Sequence, residues 1–357
     1  MILVNNPGSW ANIYPPLRHA AWHGLTPADL VFPFFLFIVG VAMSLSFARR
    51  QQAGATVGGL VRKILFRAVI IFACGLLLNG FPFILPDSLT GLRIPGVLQR
   101  IALCYLAAGM TVVLTSRNRD RILAAAGFLV LYELLMRLPL AMGWGAGSFA
   151  LEDNFVRWAD LAVLGEAHLY RVGGLAFDPE GLVSTLPAVV TTLAGFFAGE
   201  FIRGPQPLEA KLRTLVRVGA FGTVVGLVAC RLEPVNKQLW TVSYVVVTGG
   251  FALLALAVSS WMIDVRGWRR GTLPAVVFGS NPLVAFVGSG LLARILVSVQ
   301  VAGPAGQPVS LKSWVYQGIL VPLAGPVNGS VLFALLTVGL WLGILWVLHD
   351  RRIFIKI

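Results

Sequence analysis

The sequence has little charge for its length, and this scarcity excludes an ordinary soluble domain. Only 12% of its 357 residues are Asp, Glu, Lys or Arg, whereas soluble domains contain about 25%. Hydrophobic residues make up 57%, and the mean hydropathy is +0.82. They occur in runs of roughly 18 to 25 residues, the length that a helix needs to cross a hydrocarbon core of about 30 Å. The composition therefore predicts an integral membrane protein.

Cysteines and nucleotide-binding motifs are also scarce. Cys74, Cys104 and Cys230 lie far apart and in or beside apolar runs, so they indicate neither a CxxC metal site nor a disulfide framework. No Walker-type loop and no GxGxxG followed by a helix is present, which argues against an ATP-driven pump and a Rossmann cofactor. The net charge is +13, but the basic residues are spread over short loops, and we expect no nucleic-acid partner.

Hydropathy predicts an all-α, polytopic membrane bundle of about nine to ten transmembrane helices in a single domain over residues 1–357. The predicted spans are 29–47, 64–78, 94–114, 122–142, 182–202, 215–230, 239–263, 273–297 and 331–348. Residues 1–4 look like the last turn of a further helix, and at about 6 Å they are too short to span a membrane. We therefore expect the upstream genomic sequence to encode about 15 to 25 more residues, basic at first and then apolar.

The distribution of Lys and Arg over the loops predicts the orientation, because positively charged loops stay in the cytoplasm. One alternate set of loops holds Arg49, Arg50, Arg62, Lys63, Arg117, Arg119, Arg121, Arg203, Lys211, Arg213, Arg217, Arg266, Arg269, Arg270, Arg351 and Arg352. The opposite set holds Asp87, Glu152, Asp153, Asp160, Glu166, Asp178, Glu180 and Glu233. We expect a multi-pass protein with a cytoplasmic C-terminus. Residues 5–26 and 312–328 then lie outside, and residues 143–181 form a partly helical external cap loop.

Two of the four histidines lie just before the first complete span. His19 and His23 precede Asp29, and histidine is the side chain best suited to proton transfer near neutral pH. Two other interpretations are open: both histidines are polar interfacial residues, or they form a metal site with Asp29. No further ligand cluster is evident, and we expect no metal. Thr26, Pro27 and Asp29 also fit a helix start, with a cap, a first-position proline and a first-turn carboxylate.

Polar residues inside or beside the spans are the other candidates. Arg100 lies roughly two turns inside a span, where a charge costs on the order of 3 kcal/mol. It needs a partner or an aqueous cavity, unless its side chain extends to the outer surface. Gln99, next to it in the same motif, is singled out with it. Each of the others singly is more often a packing group; they are Asn5, Asn236, Lys237, Ser280 and Asn281. Asp178 and Glu180 fit the start of the span 182–202.

Five motifs occur in a fixed order along the chain. They are VNNPG (4–8), HAAWHGLTPADLVFPF (19–34), RIPGVLQR (93–100), FDPEG (177–181) and PVNKQLWT (234–241). These motifs resemble the heparan-α-glucosaminide N-acetyltransferase family, including its bacterial members, over residues 4–288. The resemblance implies one transmembrane acyltransferase domain. In that family, acetyl passes from cytoplasmic acetyl-CoA to the amine of a glucosamine unit on the far side of the membrane.

The resemblance also implies roles for particular residues. The catalytic histidine falls on His19, with Asn5, Asp29 and Gln99 as its associated polar residues. We assign the acetyl-CoA site to Arg100, Asn236, Lys237, Ser280 and Asn281. The acceptor site is assigned to Asp178 and Glu180. His23 stands where relatives have asparagine and receives no catalytic role.

The acceptor expected for a bacterial inner-membrane member is an amino sugar from the cell wall or from scavenged chitin-like material. Membrane lipid surrounds the bundle, and a homodimer is left open. His19 acts either as a general base or as a nucleophile that forms an acetyl-histidine. Two rival functions are a secondary transporter of a small polar solute, in which Arg100 and Asp29 mark the path, and an O-acyltransferase of envelope polysaccharide. The transporter would require two matching broken helices, and the sequence suggests none.

Overall fold

The computed structural model describes residues 1–82, 90–141, 149–303 and 306–355, so Asp87, predicted in an outer loop, lies outside the described residues. The helices are α1 (Ile2–Asn5), α2 (Val31–Gln52), α3 (Val57–Gly80), α4 (Val97–Leu114), α5 (Asn118–Ala141), α6 (Phe155–Leu164), α7 (Thr185–Arg203), α8 (Leu208–Ala229), α9 (Val242–Ser260), α10 (Leu273–Ser280), α11 (Pro282–Ser298), α12 (Leu311–Val315), α13 (Val321–Ala324) and α14 (Pro326–Asp350). Single 3-10 or π turns lie at Pro15–Leu17, Pro27–Leu30, Glu166–His168, Trp261–Val265 and Tyr316–Leu320. Two antiparallel hairpins pair β1 (Arg171–Val172) with β2 (Leu175–Ala176), and β3 (Gln300–Ala302) with β4 (Pro308–Ser310).

In the described part of the chain, seven helices are long and apolar enough to cross a membrane, or eight if one bent pair counts as a span. The seven are Pro27–Gln52, Val97–Leu114, Asn118–Pro139, Thr185–Arg203, Leu208–Ala229, Val242–Val265 and Pro326–Asp350. The predicted all-α polytopic membrane fold is therefore confirmed. The predicted span 64–78 lies within α3, which is not one of the seven.

The predicted span 273–297 is wrong as a continuous helix. It is divided into α10 and α11, whose axes differ by 83°. The break lies at Asn281, with φ −138° and ψ 57°, directly before Pro282. Proline has no N–H for the helix ladder, and its ring disfavours the helical conformation at the preceding residue. Among the described residues this is the one bent pair of its kind, so the second broken helix that a transporter would require is not found there.

Helices α2 and α7 pack with their backbones in contact. A Cβ atom on Gly40 would lie 1.9 Å from the carbonyl oxygen of Thr192, and one on Gly195 would lie 1.9 Å from that of Phe37. Glycine is therefore required at both positions, as is common where membrane helices approach closely. This contact fixes α2, and with it the turn that carries Asp29, against the bundle.

The start of α9 anchors the turn before α2. Tyr244 is fully buried, and its hydroxyl donates to the backbone oxygen of Asp29 at 2.7 Å. The indole of Trp240, also fully buried, packs edge-on against Phe32 with ring centroids 5.1 Å apart. Its Nε1 donates to the hydroxyl of Thr191 on α7 at 3.2 Å. These contacts join α2, α7 and α9 next to the turn that carries Asp29.

A small cap formed by α6 and the β1–β2 hairpin lies beside the histidine segment. Arg157 on α6 donates from Nε to the backbone oxygen of Ala176 at 3.0 Å, which ties the helix to the hairpin. The ring of Trp22 packs against Phe177 with centroids 5.2 Å apart, and its Nε1 donates to the backbone oxygen of Phe149 at 2.8 Å. The side of the membrane on which this cap lies stays a prediction.

Candidate active site

Asp29 lies in the turn that leads into α2, and its two oxygens have different partners. Oδ2 accepts from the backbone nitrogens of Ala20 and Thr26, each at 3.1 Å, and from the Thr26 hydroxyl at 2.9 Å. Oδ1 lies 2.7 Å from Nδ1 of His19. The predicted helix start is confirmed, with Thr26 as the cap and Pro27 in the first turn. The same carboxylate thus caps a helix and supports a histidine.

The Asp29 carboxylate determines which nitrogen of His19 is basic. An ionised carboxylate only accepts hydrogen bonds, so Nδ1 carries the proton and Nε2 holds the lone pair. The side chain of Asp29 is 1% exposed and that of His19 is 33% exposed. The imidazole therefore reaches accessible space while the carboxylate holds it from the buried side. Hydrolases use the same arrangement to orient a histidine base.

Lys237 brings a positive charge to this pair. Its Nζ lies 3.1 Å from Nδ1 and 3.4 Å from Nε2 of His19, and 3.4 Å from Oδ1 of Asp29. It extends from a tight turn before α9, in which the Asn236 side chain accepts from the backbone nitrogen of Leu239 at 2.8 Å. Burial lowers the pKa of Lys237, and the Asp29 carboxylate opposes that shift. The sequence predicted Lys237 in the acetyl-CoA site but not this contact.

Arg93 forms a second charged cluster with the FDPEG motif. Its Nε and Nη2 donate to the two oxygens of Asp178, each at 2.8 Å, and Nη2 also donates to Glu180 at 2.6 Å. The guanidinium lies 4.8 Å from the ring centroid of Tyr170. Such bidentate pairing is among the strongest side-chain interactions. The sequence assigned the two acids to the acceptor site and missed Arg93 as their partner.

One cavity of about 540 Å³ connects these two clusters. Its polar lining includes Asn5, His19, Arg93, Glu180 and Lys237, and aromatic side chains complete the wall: Trp10, Trp22, Phe32 and Tyr170. Binding sites for small molecules commonly enclose about 300 to 1,000 Å³ and combine aromatic walls with a few polar groups. The cavity therefore has the size and character of a small-molecule site.

Asn5 and Gln99 lie at and next to this cavity. Asn5 ends α1 and is exposed. Gln99 lines a neighbouring cavity of about 190 Å³ that shares Asn5, Arg93 and Val97 with the larger one. Its side chain is 2% exposed, and its Nε2 has no hydrogen-bond partner among the described residues. Gln99 thus has an uncommitted donor beside the site, while its catalytic role stays a prediction.

Arg100 lies in the buried core of the bundle. It is 0% exposed, and Nη2 donates to the hydroxyl of Ser184 and to the backbone oxygen of Gly181 at 3.2 Å. The guanidinium also lies 5.1 Å from the ring of Trp240. These groups give Nη2 its partners, whereas Nε and Nη1 have no hydrogen-bond partner among the described residues. The alternative that its side chain extends to the outer surface is wrong, because no part of the side chain is exposed.

Ser280 and Asn281, two of the predicted acetyl-CoA residues, do not line the His19 cavity. Asn281 donates to the backbone oxygen of Ile353 at 3.0 Å and accepts from the nitrogen of Ile355 at 2.8 Å, so it ties the C-terminal segment to the α10–α11 break. Ser280 precedes it and donates to the carbonyl oxygen of Val277 at 2.7 Å. Their role in binding acetyl-CoA stays a prediction.

His23 and Asn236 contact each other, with Nδ2 of Asn236 lying 3.2 Å from Nδ1 of His23. Neither side chain is among the groups that touch Asp29. In the described ranges no set of three or more His, Cys, Asp or Glu side chains is placed to hold a metal ion.

The fold and the site define a multi-pass helical membrane protein in which a carboxylate-supported histidine faces a cavity at one end of the bundle. A family model described as "Heparan-alpha-glucosaminide N-acetyltransferase, catalytic" matches residues 10–227. The chain therefore belongs to this family.

Two curated relatives carry the same name. The heparan-alpha-glucosaminide N-acetyltransferase of Homo sapiens is 31% identical over 342 residues, which cover 81% of this chain and 50% of the human protein. That of Mus musculus is 28% identical over 342 residues, which cover 82% of this chain and 51% of the mouse protein. The chain thus spans about half the length of the curated relatives it matches. The resemblance predicted from the five motifs is confirmed.

Proposed function

We propose that this chain is a transmembrane N-acetyltransferase of a bacterial inner membrane. It takes acetyl from cytoplasmic acetyl-CoA and places it on the amine of a glucosamine-type sugar at the periplasmic side. The single observation that carries the proposal is the His19–Asp29 pair at the 540 Å³ cavity. The names of the two relatives supply the reaction class and the glucosaminide acceptor. Formation of N-acetylglucosamine from glucosamine and acetyl-CoA is the direct test.

The chemistry requires a base at the acceptor nitrogen. A glucosamine ammonium first loses one proton to water, and the neutral amine then attacks the thioester carbonyl. As the C–N bond forms, Nε2 of His19 takes the second proton, and Asp29 stabilises the resulting imidazolium through Nδ1. The C–S bond breaks, and the leaving thiolate takes the proton from His19. General-base catalysis of this kind contributes about 10²- to 10⁴-fold.

The acetyl-histidine mechanism uses the same nitrogen as a nucleophile. Nε2 of His19 would attack the thioester and release the CoA thiolate. The neutral amine would then take the acetyl group from the acetyl-imidazolium, and the proton that it loses would go to the thiolate. The hydrogen bond from Nδ1 to Asp29 supports both mechanisms, because both place positive charge on the imidazole ring.

Charged and amide groups around His19 suit the developing oxyanion and the acceptor. The Lys237 ammonium, 3.4 Å from Nε2, and the Asn5 amide at the same cavity supply donors for a tetrahedral oxyanion. Glu180 lines the cavity and is positioned to accept from the sugar. Asp178 is fully buried and paired with Arg93, so its part in acceptor binding is to hold Arg93 and the FDPEG turn.

Acetyl-CoA is too polar to cross lipid, so the thioester must reach His19 through the bundle. Gln99 lies beside the smaller adjoining cavity, which is a suitable position for the acetyl end. Arg100, Asn236, Ser280 and Asn281 remain our proposed contacts for the rest of the molecule. Arginines at the predicted cytoplasmic loops would bind its phosphates through charge-assisted hydrogen bonds.

The proposed sidedness predicts a labelling pattern. On a background without Cys74, Cys104 and Cys230, single cysteines replace Ala11, near the His19 segment, and Arg117, between α4 and α5. Both positions are exposed. Because the basic loops remain cytoplasmic, an impermeant maleimide added to intact spheroplasts should label Ala11→Cys alone, and Arg117→Cys only after lysis. The reverse pattern would invert the topology.

A further inference from the structure

Helices α8 and α9 pack closely and leave a groove on one side of the pair. A Cβ atom on Gly226 would lie 2.5 Å from the backbone nitrogen of Val247, and one on Gly250 would lie 2.5 Å from that of Thr223. The two backbones therefore touch along this part of the pair. Beside the start of α8 and the end of α9, where Leu212, Leu215 and Ala257 pack together, a groove of about 580 Å³ runs along the outer surface of the pair. We call this the α8–α9 groove.

The walls of the α8–α9 groove are apolar and face outward. Val216, Val258 and Trp261 line it, and their exposed fractions are 45%, 52% and 44%. All three belong to helices that are long and apolar enough to cross a membrane. In a bilayer the walls of the groove would therefore contact lipid acyl chains.

Positive charge lies at the edge of the groove. Arg213 and Arg217 line it and are one turn apart on α8. The guanidinium of Arg266 lies 4.9 Å from the Trp261 ring centroid at the other side. Glu209 also lines the groove, yet within the described residues neither Arg213 nor Arg217 forms an ion pair. Neither arginine is therefore committed to a carboxylate, and both lie beside the apolar walls of the groove.

We propose that the α8–α9 groove binds an anionic phospholipid. Its phosphate lies between Arg213 and Arg217, and one acyl chain lies along Val216, Val258 and Trp261. Guanidinium groups recognise phosphate through paired hydrogen bonds, and basic pockets at the ends of membrane helices bind anionic headgroups. The apolar walls favour a lipid over a free phosphate ion. The groove shares no lining residue with the His19 cavity. We therefore assign Arg213 and Arg217 to the lipid and not to the CoA phosphates, and the site does not depend on the proposed acetyl transfer.

The test compares lipids on the purified full chain in detergent. Phosphatidylglycerol should raise the unfolding temperature by roughly 2–4 °C more than phosphatidylcholine at the same ratio, because a ligand that binds only the folded state stabilises it. The double variant Arg213→Gln/Arg217→Gln should lose most of this difference. The matched control Arg269→Gln/Arg270→Gln removes equal charge from the exposed loop after α9 and should retain it. Native mass spectrometry should show retained phosphatidylglycerol in the wild type and the control.

A third variant tests the apolar part of the site with both arginines intact. Val258→Trp fills the groove and should abolish the phosphatidylglycerol-specific rise. If both double arginine variants lost the phosphatidylglycerol-specific rise in unfolding temperature equally, the effect would be due to general electrostatics, and the proposal would be overturned. If inorganic phosphate or glycerol 3-phosphate raised the unfolding temperature equally, the groove would be a free-phosphate site. If the rise in unfolding temperature were unchanged in Val258→Trp, the acyl chain would not lie in the groove. Either result also overturns the proposal.

Discussion

Replacing His19 by alanine is expected to lower kcat for acetyl transfer to glucosamine about 10²- to 10⁴-fold, the usual contribution of a positioned general base. The loss should be larger still if His19 is the nucleophile. Because the His19 side chain is one-third exposed, the substitution leaves no large buried cavity, so the unfolding temperature and acetyl-CoA binding should change little. The measurement is steady-state kinetics on purified protein, with thermal unfolding in parallel.

His23 provides the matched control for His19. It is another histidine of the same segment, and His23→Asn introduces the residue that we expect in relatives while keeping a polar group near Asn236. This variant should retain near-wild-type kcat. Near-wild-type turnover in His19→Ala, or an equal loss in both variants, would contradict the assignment of His19 as the catalytic histidine.

Replacing Arg93 by methionine is expected to have the largest effect on stability. It leaves the fully buried carboxylate of Asp178 without its positive partner and removes the bond to Glu180. Breaking a buried pair in this way typically costs about 3–5 kcal/mol, since one charge remains desolvated. Thermal or denaturant unfolding in detergent should show a clear loss relative to the wild type.

Two further variants separate charge pairing from loss of packing. Arg171 pairs with Glu166 on the surface, where both side chains are about 60% exposed, so Arg171→Met should cost less than about 1 kcal/mol. Adding Asp178→Asn to Arg93→Met removes the unpaired charge and should recover part of the loss. Equal costs for Arg93→Met and Arg171→Met, or no recovery in the double variant, would argue against the buried ion pair.

Hydropathy was sufficient to predict most of the bundle, because membrane spans depend on length and composition. The helix start at Thr26 was also predictable, since capping is a local property of a few residues. The break at Asn281 was missed because a single Asn-Pro dipeptide hardly changes the hydropathy of a 25-residue window. The proline acts on the backbone hydrogen bonds of the helix, and a hydropathy average over side chains does not detect this.

The site was predicted only where its residues are close in sequence or lie in a recognised motif. His19 and Asp29 are ten positions apart, and their pairing is set by one turn. Lys237 reaches the same pair from the loop before α9, 218 positions away from His19, and no spacing rule connects them. The partnership of Arg93 with Asp178 likewise depends on the packing of α4 against α7. The need of Arg100 for a partner or an aqueous cavity was predictable, but its neighbours Ser184 and Trp240 were not, because they lie on other segments of the chain.

The central claim is transfer of acetyl across the membrane, and the most direct measurement separates the two substrates by compartment. Sealed right-side-out vesicles containing the wild-type chain are loaded with acetyl-CoA, and isotopically labelled glucosamine is supplied outside. We predict that labelled N-acetylglucosamine forms outside, that external acetyl-CoA does not replace the internal supply, and that vesicles with His19→Ala form none above background. Absence of product from the wild-type vesicles, or product only when both substrates share one compartment, would contradict the account.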